Sequence, residues 1–342
     1  MYQEDFKMNT DLVSIVMPVK NTSAFLEECL DSICNQSYLH WELISVNDHS
    51  TDDSLEILNR YSQKDPRIKV YTNRGQGIIP ALQLAHTHTQ GKYITRMDSD
   101  DIMLPVKLES MKLNLDKYGP GHLACGKVKY FADYEIGDGF SRYESWLNTL
   151  IANGNNFTER YKECVVPSPS WMCYLEDFEK CGAFNPDMYP EDYELVFRFH
   201  ELGLKCIPSS ETVHLWRDYQ TRTSRVDEHY ADQSFLNLKM KYFFKLDQDL
   251  SKEILIWGAG KKGKKLASLL QSSNVPFTWA CNNPNKIGKD IFGKILLSIS
   301  AITEFEKYQS IITVANTDAQ EEIKKSFAAL NLKPNKDYFL FC

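Results

Sequence analysis

The sequence has no long apolar run. Stretches such as residues 13–19 fall far short of the roughly 20 residues that a helix needs to cross a bilayer. No C-x-x-C pair occurs, and the nine cysteines make an odd number. Neither a disulfide framework nor a zinc knuckle is expected, and the cysteines read as reduced core thiols. A chain-wide basic excess is missing too: 39 Lys and Arg face 46 Asp and Glu, a net charge of −7. That argues against a dedicated nucleic-acid binder. Residues 1–11 carry acids and no apolar leader core, so no signal peptide is expected.

What is present is ordinary for a globular protein: 342 residues, 43% hydrophobic and 25% charged, long enough for about two domains. Charge is unevenly spread. Residues 251–342 hold thirteen Lys, no Arg and eight acids, a net of +5, which leaves −12 for residues 1–250. Such a change of sign hints at a boundary. The polar stretch K-L-D-Q-D-L-S-K follows a helical run. We therefore expect a first domain over 1–245, a linker at 246–252 and a second domain over 253–342.

The first hundred residues alternate strand and helix. Residues 12–17 form a β-branched run, and Phe25, Leu26, Cys29, Leu30, Ile33 and Cys34 then repeat at helical spacing. Further strands are expected at 41–46, 68–71 and 93–97, with helices between them and Ser50 capping the second. Repeated β-α-β units imply a parallel sheet covered by helices. Ligands of such sheets bind beyond the carboxyl ends of the strands. Four polar loops fall there: Pro18-Val19-Lys20-Asn21, Asn47-Asp48-His49-Ser50, Asn73-Arg74-Gly75-Gln76-Gly77 and Asp98-Ser99-Asp100-Asp101. Each alone reads as an ordinary turn. Side by side they read as one pocket.

The carboxylates of the fourth loop repel one another unless a cation joins them. Mg²⁺ and Mn²⁺ take oxygen ligands, usually one or two carboxylates plus substrate phosphates. The cluster thus suggests a divalent metal bridging to a diphosphate, with Asp101 explicable as a helix-start acid.

Four segments together resemble family 2 glycosyltransferases of the GT-A fold: V-S-I-V-M-P-V-K-N, W-E-L-I-S-V-N-D-H-S-T-D, G-K-Y-I-T-R-M-D-S-D-D and P-E-D-Y-E-L-V-F-R. The resemblance covers roughly residues 12–245. It departs at Asn47, where two acids are usual, and at His49, where Gly is common. It implies an inverting transferase that moves a sugar from a nucleotide-diphosphate donor to a hydroxyl of a glycan or lipid-linked acceptor. Pro18, Val19 and Asn21 would line the base and ribose, and Asp48 would accept from the base. Gly75 and Gly77 would let the backbone approach the donor. Arg96, Asp98 and Ser99 would also bind it, and Arg217 and Arg225 would clamp the diphosphate. Asp98, Asp100 and His214 would hold Mg²⁺ or Mn²⁺. Asp192, in the pair Glu191-Asp192, would be the general base. Trp146 and Trp171 could stack on a sugar, although core packing explains them better. A cytoplasmic setting follows, with peripheral contact at the inner membrane face.

Beyond residue 250, I-L-I-W followed by Gly258-Ala259-Gly260-Lys261-Lys262-Gly263 is strand, turn and helix in the G-x-G-x-x-G pattern. Strands are expected at 275–280 and 311–314, giving a small Rossmann-like α/β domain. A dinucleotide binder would place an acid after the second strand. Cys281-Asn282-Asn283 stands there instead. Rival readings are a nucleotide-sensing or NAD(P)-dependent protein run by this domain, a nucleotidyltransferase lacking its Gly-rich first loop, and a non-catalytic sugar-nucleotide binder.

Overall fold

The structure, a computed structural model, describes residues 9–185, 188–226, 235–302 and 304–342. These residues pack into two compact units. One holds 9–157 and 165–226; the other holds 158–164 and the residues from 235 onward.

The first unit opens as expected from its sequence periodicity. β1 (Asn9–Val19), β2 (Trp41–Asn47), β3 (Ile68–Thr72) and β4 (Gly91–Arg96) pair in parallel in the order β3-β2-β1-β4. α1 (Ser23–Cys34), α2 (Ser54–Lys64) and α3 (Ile78–His86) connect them. α1 buries Leu26, Cys29, Leu30 and Ile33, one stripe at helical spacing, in a core shared with Val13, Ile15 and Met17 of β1. Removing these side chains from water is the main favourable term holding helix to sheet.

The chain then departs from simple β-α-β repetition. After β5 (Ile102–Met103), α4 (Lys107–Tyr118), β6 (His122–Cys125), β7 (Lys127–Phe131) and α5 (Asp138–Asn153) comes β8 (Trp171–Tyr174), which pairs antiparallel with β4. α6 (Leu175–Lys180), α7 (Glu191–Glu201), β9 (Lys205–Ile207) and β10 (Thr212–Arg217) follow. The large sheet reads β3-β2-β1-β4-β8-β6-β9, and a second sheet reads β5-β10-β7. β10 pairs antiparallel with β5, directly after the Asp98–Asp101 loop, and so carries its own side chains to that loop.

The second unit contains α8 (Leu236–Tyr242), β11 (Glu253–Trp257), α9 (Lys261–Ser272), β12 (Phe277–Cys281), a hairpin of β13 (Asp290–Ile291) and β14 (Lys294–Ile295), β15 (Leu297–Ser298), β16 (Tyr308–Ile312), α10 (Thr317–Ala329) and β17 (Tyr338–Leu340). Its parallel sheet has the order β15-β12-β11-β16-β17. The segment 158–164 belongs here through Tyr161, whose ring stacks on Phe341 at 5.0 Å and meets Phe339 and Phe243 edge-on. Asp247 accepts from Arg160 Nη2 at 2.6 Å and from the Tyr161 hydroxyl at 2.5 Å.

The glycines of the Gly258–Gly263 loop serve this packing. Gly258 has φ +122°, and a Cβ there would lie 2.7 Å from Thr313 Oγ1. A Cβ on Gly263 would lie 2.1 Å from the Gly258 carbonyl oxygen.

Candidate active site

The first three strand-end loops are tied together by Asp48. Its buried carboxylate accepts from Asn73 Nδ2 at 2.6 Å, from the Gly77 amide at 3.0 Å and from Lys20 Nζ at 3.1 Å. Its amide donates to the Val19 carbonyl at 2.8 Å. Asp48 therefore joins the loops after β1, β2 and β3, and much of its acceptor capacity is used within the protein. Gly77 needs its glycine, with φ +96°. His49 sits at φ +55°, which explains why glycine suits that position, and its Nε2 lies 2.9 Å from the Gly75 carbonyl. Pro18 is half-buried and Val19 buried beside them. Asn21, exposed and also left-handed, accepts from the Thr51 amide at 2.8 Å. Ser50 does not cap α2. Its hydroxyl accepts from the Asn21 amide, while Asp52 accepts from the Ser23 and Ser54 amides. Those bonds outweigh burial and draw the Asp52 carboxyl down to about 2.

The fourth loop holds the acids. Asp98 Oδ1 receives Arg96 Nε at 3.0 Å, and Asp98 Oδ2 accepts from Ser168 Oγ at 2.8 Å. Burial raises its pKa, but Arg96 and the Ser168 hydrogen bond outweigh it and hold the carboxyl low. Ser99 is buried, and its hydroxyl accepts from Thr22 Oγ1. Asp100 Oδ2 accepts from the Tyr219 hydroxyl at 2.8 Å. Burial first, then Asp101, push Asp100 up to about 6.

Asp101 lies fully buried beneath. It takes the Arg217 amide at 2.8 Å and faces His214 Nε2 at 2.9 Å. Burial pushes the imidazole well below its usual range and pushes the Asp101 carboxyl up to about 7. The other ring nitrogen, Nδ1, is buried with no hydrogen-bond partner among the described residues. Lys107, also fully buried, reaches the carbonyls of Pro169 and Arg96. Burial pulls its ammonium down to about 7 against the pull of Asp98 and Asp101.

The second acid cluster meets the first through Arg96. Its Nη1 donates to Glu191 Oε1 at 2.9 Å, so one guanidinium spans Glu191 and Asp98. Asp192 follows in the first turn of α7, bonded at 2.7 Å to the Tyr193 amide. Burial, then Glu191, push its carboxyl up to about 7, with Arg96 acting in the opposite sense.

The expected arginine clamp is arranged differently. Arg217 is committed to the Asp100 carbonyl at 2.8 Å and to Glu28, with Phe25 and Phe131 against its guanidinium. Arg225 pairs with Asp218 at 2.7 Å. Arg222, lying between them in sequence, is a further cation near the acids. Its charge acts on Asp98, Asp100 and Asp101, and it lies 4.9 Å over the Trp216 ring. In the sequence Arg222 stands out only as one of three arginines in this stretch, and nothing in T-R-T gives it a role of its own. Ser168, Tyr219 and Lys107 were missed, because only tertiary contact brings them here. Trp171 is buried, stacked on Phe178 in the core.

Among the described residues no three His, Cys, Asp or Glu side chains gather closely enough to enclose a metal. The donor set still suits a hard cation held by two carboxylates plus substrate phosphates. Asp98 and Asp100 supply oxygens, and Asp100 Oδ1 has no hydrogen-bond partner among the described residues. His214 Nε2 lies 2.9 Å from Asp101 Oδ2, and its charge interacts with Asp98 and Asp100.

The sequence and fold were compared with known proteins. The profile of glycosyl transferase family 2 matches residues 14–182, and that of the C2185-like N-terminal family matches residues 250–337. The glycosyltransferase GlyG of Streptococcus pneumoniae is 38% identical over 61% of this chain and 71% of its own. An uncharacterized glycosyltransferase of Haemophilus influenzae is 29% identical over 77% of this chain and 85% of its own. The structure of S. aureus TarS residues 1–349 with UDP-GlcNAc superposes with a TM-score of 0.54, at 15% identity, over 75% of this chain and 71% of that one. The fold is thus that of the GT-A glycosyltransferases. The chain belongs to glycosyltransferase family 2.

Proposed function

We propose that this glycosyltransferase is a metal-dependent, inverting, hexosyl-transferring enzyme. It would take the sugar from a nucleotide-diphosphate donor and place it on a hydroxyl of a glycan or lipid-linked acceptor in glycan biosynthesis. One observation carries the reading: Arg96 joins the Asp98–Asp100 acids to the Glu191–Asp192 turn, so a base and a diphosphate site share one pocket wall.

In this reading the loops after β1, β2 and β3 cradle the nucleotide. Pro18, Val19 and Asn21 line it, and Asp48 holds the Gly77 amide beside them. Asp98 and Asp100 would hold Mg²⁺ or Mn²⁺. The bound cation would neutralise charge on the leaving group as the glycosidic bond breaks. Arg222 lies near the same acids and supplies a second positive charge toward the diphosphate, preorganised by Trp216. Arg217 fixes the Asp100 backbone. His214 orients Asp101 below. Asp192 takes the proton from the acceptor hydroxyl as its oxygen attacks the anomeric carbon. A carboxyl raised to about 7 is a stronger base than an ordinary aspartate, which suits that task.

The test is a set of sugar nucleotides assayed for thermal stabilisation with and without Mn²⁺, followed by turnover with hydroxyl acceptors. Asp192→Asn should keep donor affinity and lose turnover, because an amide cannot take the proton. Donor affinity falling as much as the rate would mark Asp192 as a binding residue instead.

A further inference from the structure

The β13–β14 hairpin of the second unit breaks two rules of surface composition at once. Its two-residue loop is Phe292-Gly293, with φ +57° and +73°. A loop left-handed at both positions normally takes Asn-Gly or Asp-Gly, and a bulky aromatic there is an outlier. Phe292 is also half exposed, with one face stacked 6.4 Å from the buried Trp279.

The rest of the segment repeats the pattern. Ile287, Ile295 and Leu297 are exposed, Ile295 at 55%, while Leu296 between the last two is buried. Alternation places one face of a strand outward, and that face is normally polar. Here it is isoleucine and leucine. Four large apolar side chains thus meet solvent within eleven residues, 287–297.

The charges beside them are mostly positive. Lys289 is exposed beside the patch, Lys286 Nζ donates to the Ala259 carbonyl at 2.7 Å, and Lys294 Nζ lies 5.2 Å over the Phe277 ring. The single acid, Asp290, is spent on the turn, accepting from the Gly293 amide at 2.8 Å. The surrounding region, residues 251–342, carries +5 in a chain whose total is −7. An apolar tip with lysines beside it complements a surface with negative headgroups above hydrocarbon.

We propose that the 286–297 hairpin seats on an anionic lipid bilayer, with Phe292 and Ile295 entering the interface and Lys289 and Lys294 meeting the headgroups. This stands apart from the transferase site, whose proposed residues all lie before residue 226.

The test is sedimentation of the full chain with vesicles of phosphatidylcholine alone or mixed equally with phosphatidylglycerol. Binding is expected only to the mixed vesicles and should weaken with salt. Phe292→Asn with Ile295→Thr suits the turn and strand better than the native pair, so it should fold. It is expected to lower binding by about tenfold or more, with donor turnover in solution unchanged. Lys289→Glu with Lys294→Glu should lower binding similarly. Wild-type protein left in the supernatant with mixed vesicles would overturn the proposal. So would undiminished binding of the Phe292→Asn/Ile295→Thr variant. A concentration-dependent dimer that the same variant dissolves, without vesicle binding, would overturn it in favour of a second copy as the occupant.

Discussion

Arg96 Nη1 and Glu191 Oε1 lie 2.9 Å apart, both buried, joining residues 95 positions distant in sequence. Arg96 leaves the end of a central strand, and Glu191 opens a helix. Their contact fixes where Asp192 stands relative to the acids of the strand-end loop.

Truncating one partner of a buried pair leaves the other charge poorly compensated. Glu191→Ala is expected to cost about 3 kcal/mol of stability, read by urea unfolding. A loss below about 1 kcal/mol would show the pair to be no stronger than a surface bridge.

Asp192 gives a pH signature. As the proposed base it works only when ionised, and its carboxyl is pushed up to about 7 by burial and then by Glu191. kcat/KM is therefore expected to rise with pH through about 7. Glu191→Gln removes a negative neighbour, so the acidic limb should move to lower pH. An unmoved limb, or one moved to higher pH, would assign the titration to another group.

Metal dependence should carry its own pH limit. Asp100, pushed up to about 6 by burial and by Asp101, takes up a proton as pH falls through that value. Protons then compete with the cation. The rise in Tm from Mn²⁺ with a sugar nucleotide is expected at neutral pH and should shrink in acid. Asp100→Ala should abolish it. Full activity of that variant in chelator would remove Asp100 from the metal site.

The second unit has a separate test. Tyr161 is buried among Phe243, Phe339 and Phe341. Tyr161→Ala is expected to cost about 3–5 kcal/mol, and Tyr161→Phe only about 1 kcal/mol, the hydroxyl's bond to Asp247. Calorimetry reads both, and equal losses would mean the ring packing contributes little.

Much of this was legible in the chain. The β-branched runs of β1, β2 and β4 and the stripe of Leu26, Cys29, Leu30 and Ile33 are local signals, and the polar strand ends follow from them. The unforeseen parts depend on partners distant in sequence. β8 runs antiparallel to β4, and no feature of W-M-C-Y states a direction. Arg217 looked like a phosphate clamp, yet Glu28 and two phenylalanine rings occupy it. Arg222 had no mark of its own. The G-x-G-x-x-G pattern was visible, but only the approach of Gly263 to the Gly258 carbonyl shows what packing requires of it.

The seven residues 158–164 also set an order of events during synthesis. They leave the ribosome with the first unit but pack within the second, whose α8 begins at Leu236. The gap is 236 − 164 = 72 residues, on the order of 10 s of translation at typical speeds. The strands of the first unit are all synthesised by Arg217, within that wait. Through it Phe243, Phe339 and Phe341, rings that meet Tyr161, are not yet made. The first unit must therefore fold around a loop that is still waiting for its destination. Moving the second unit to another protein would require carrying that loop with it.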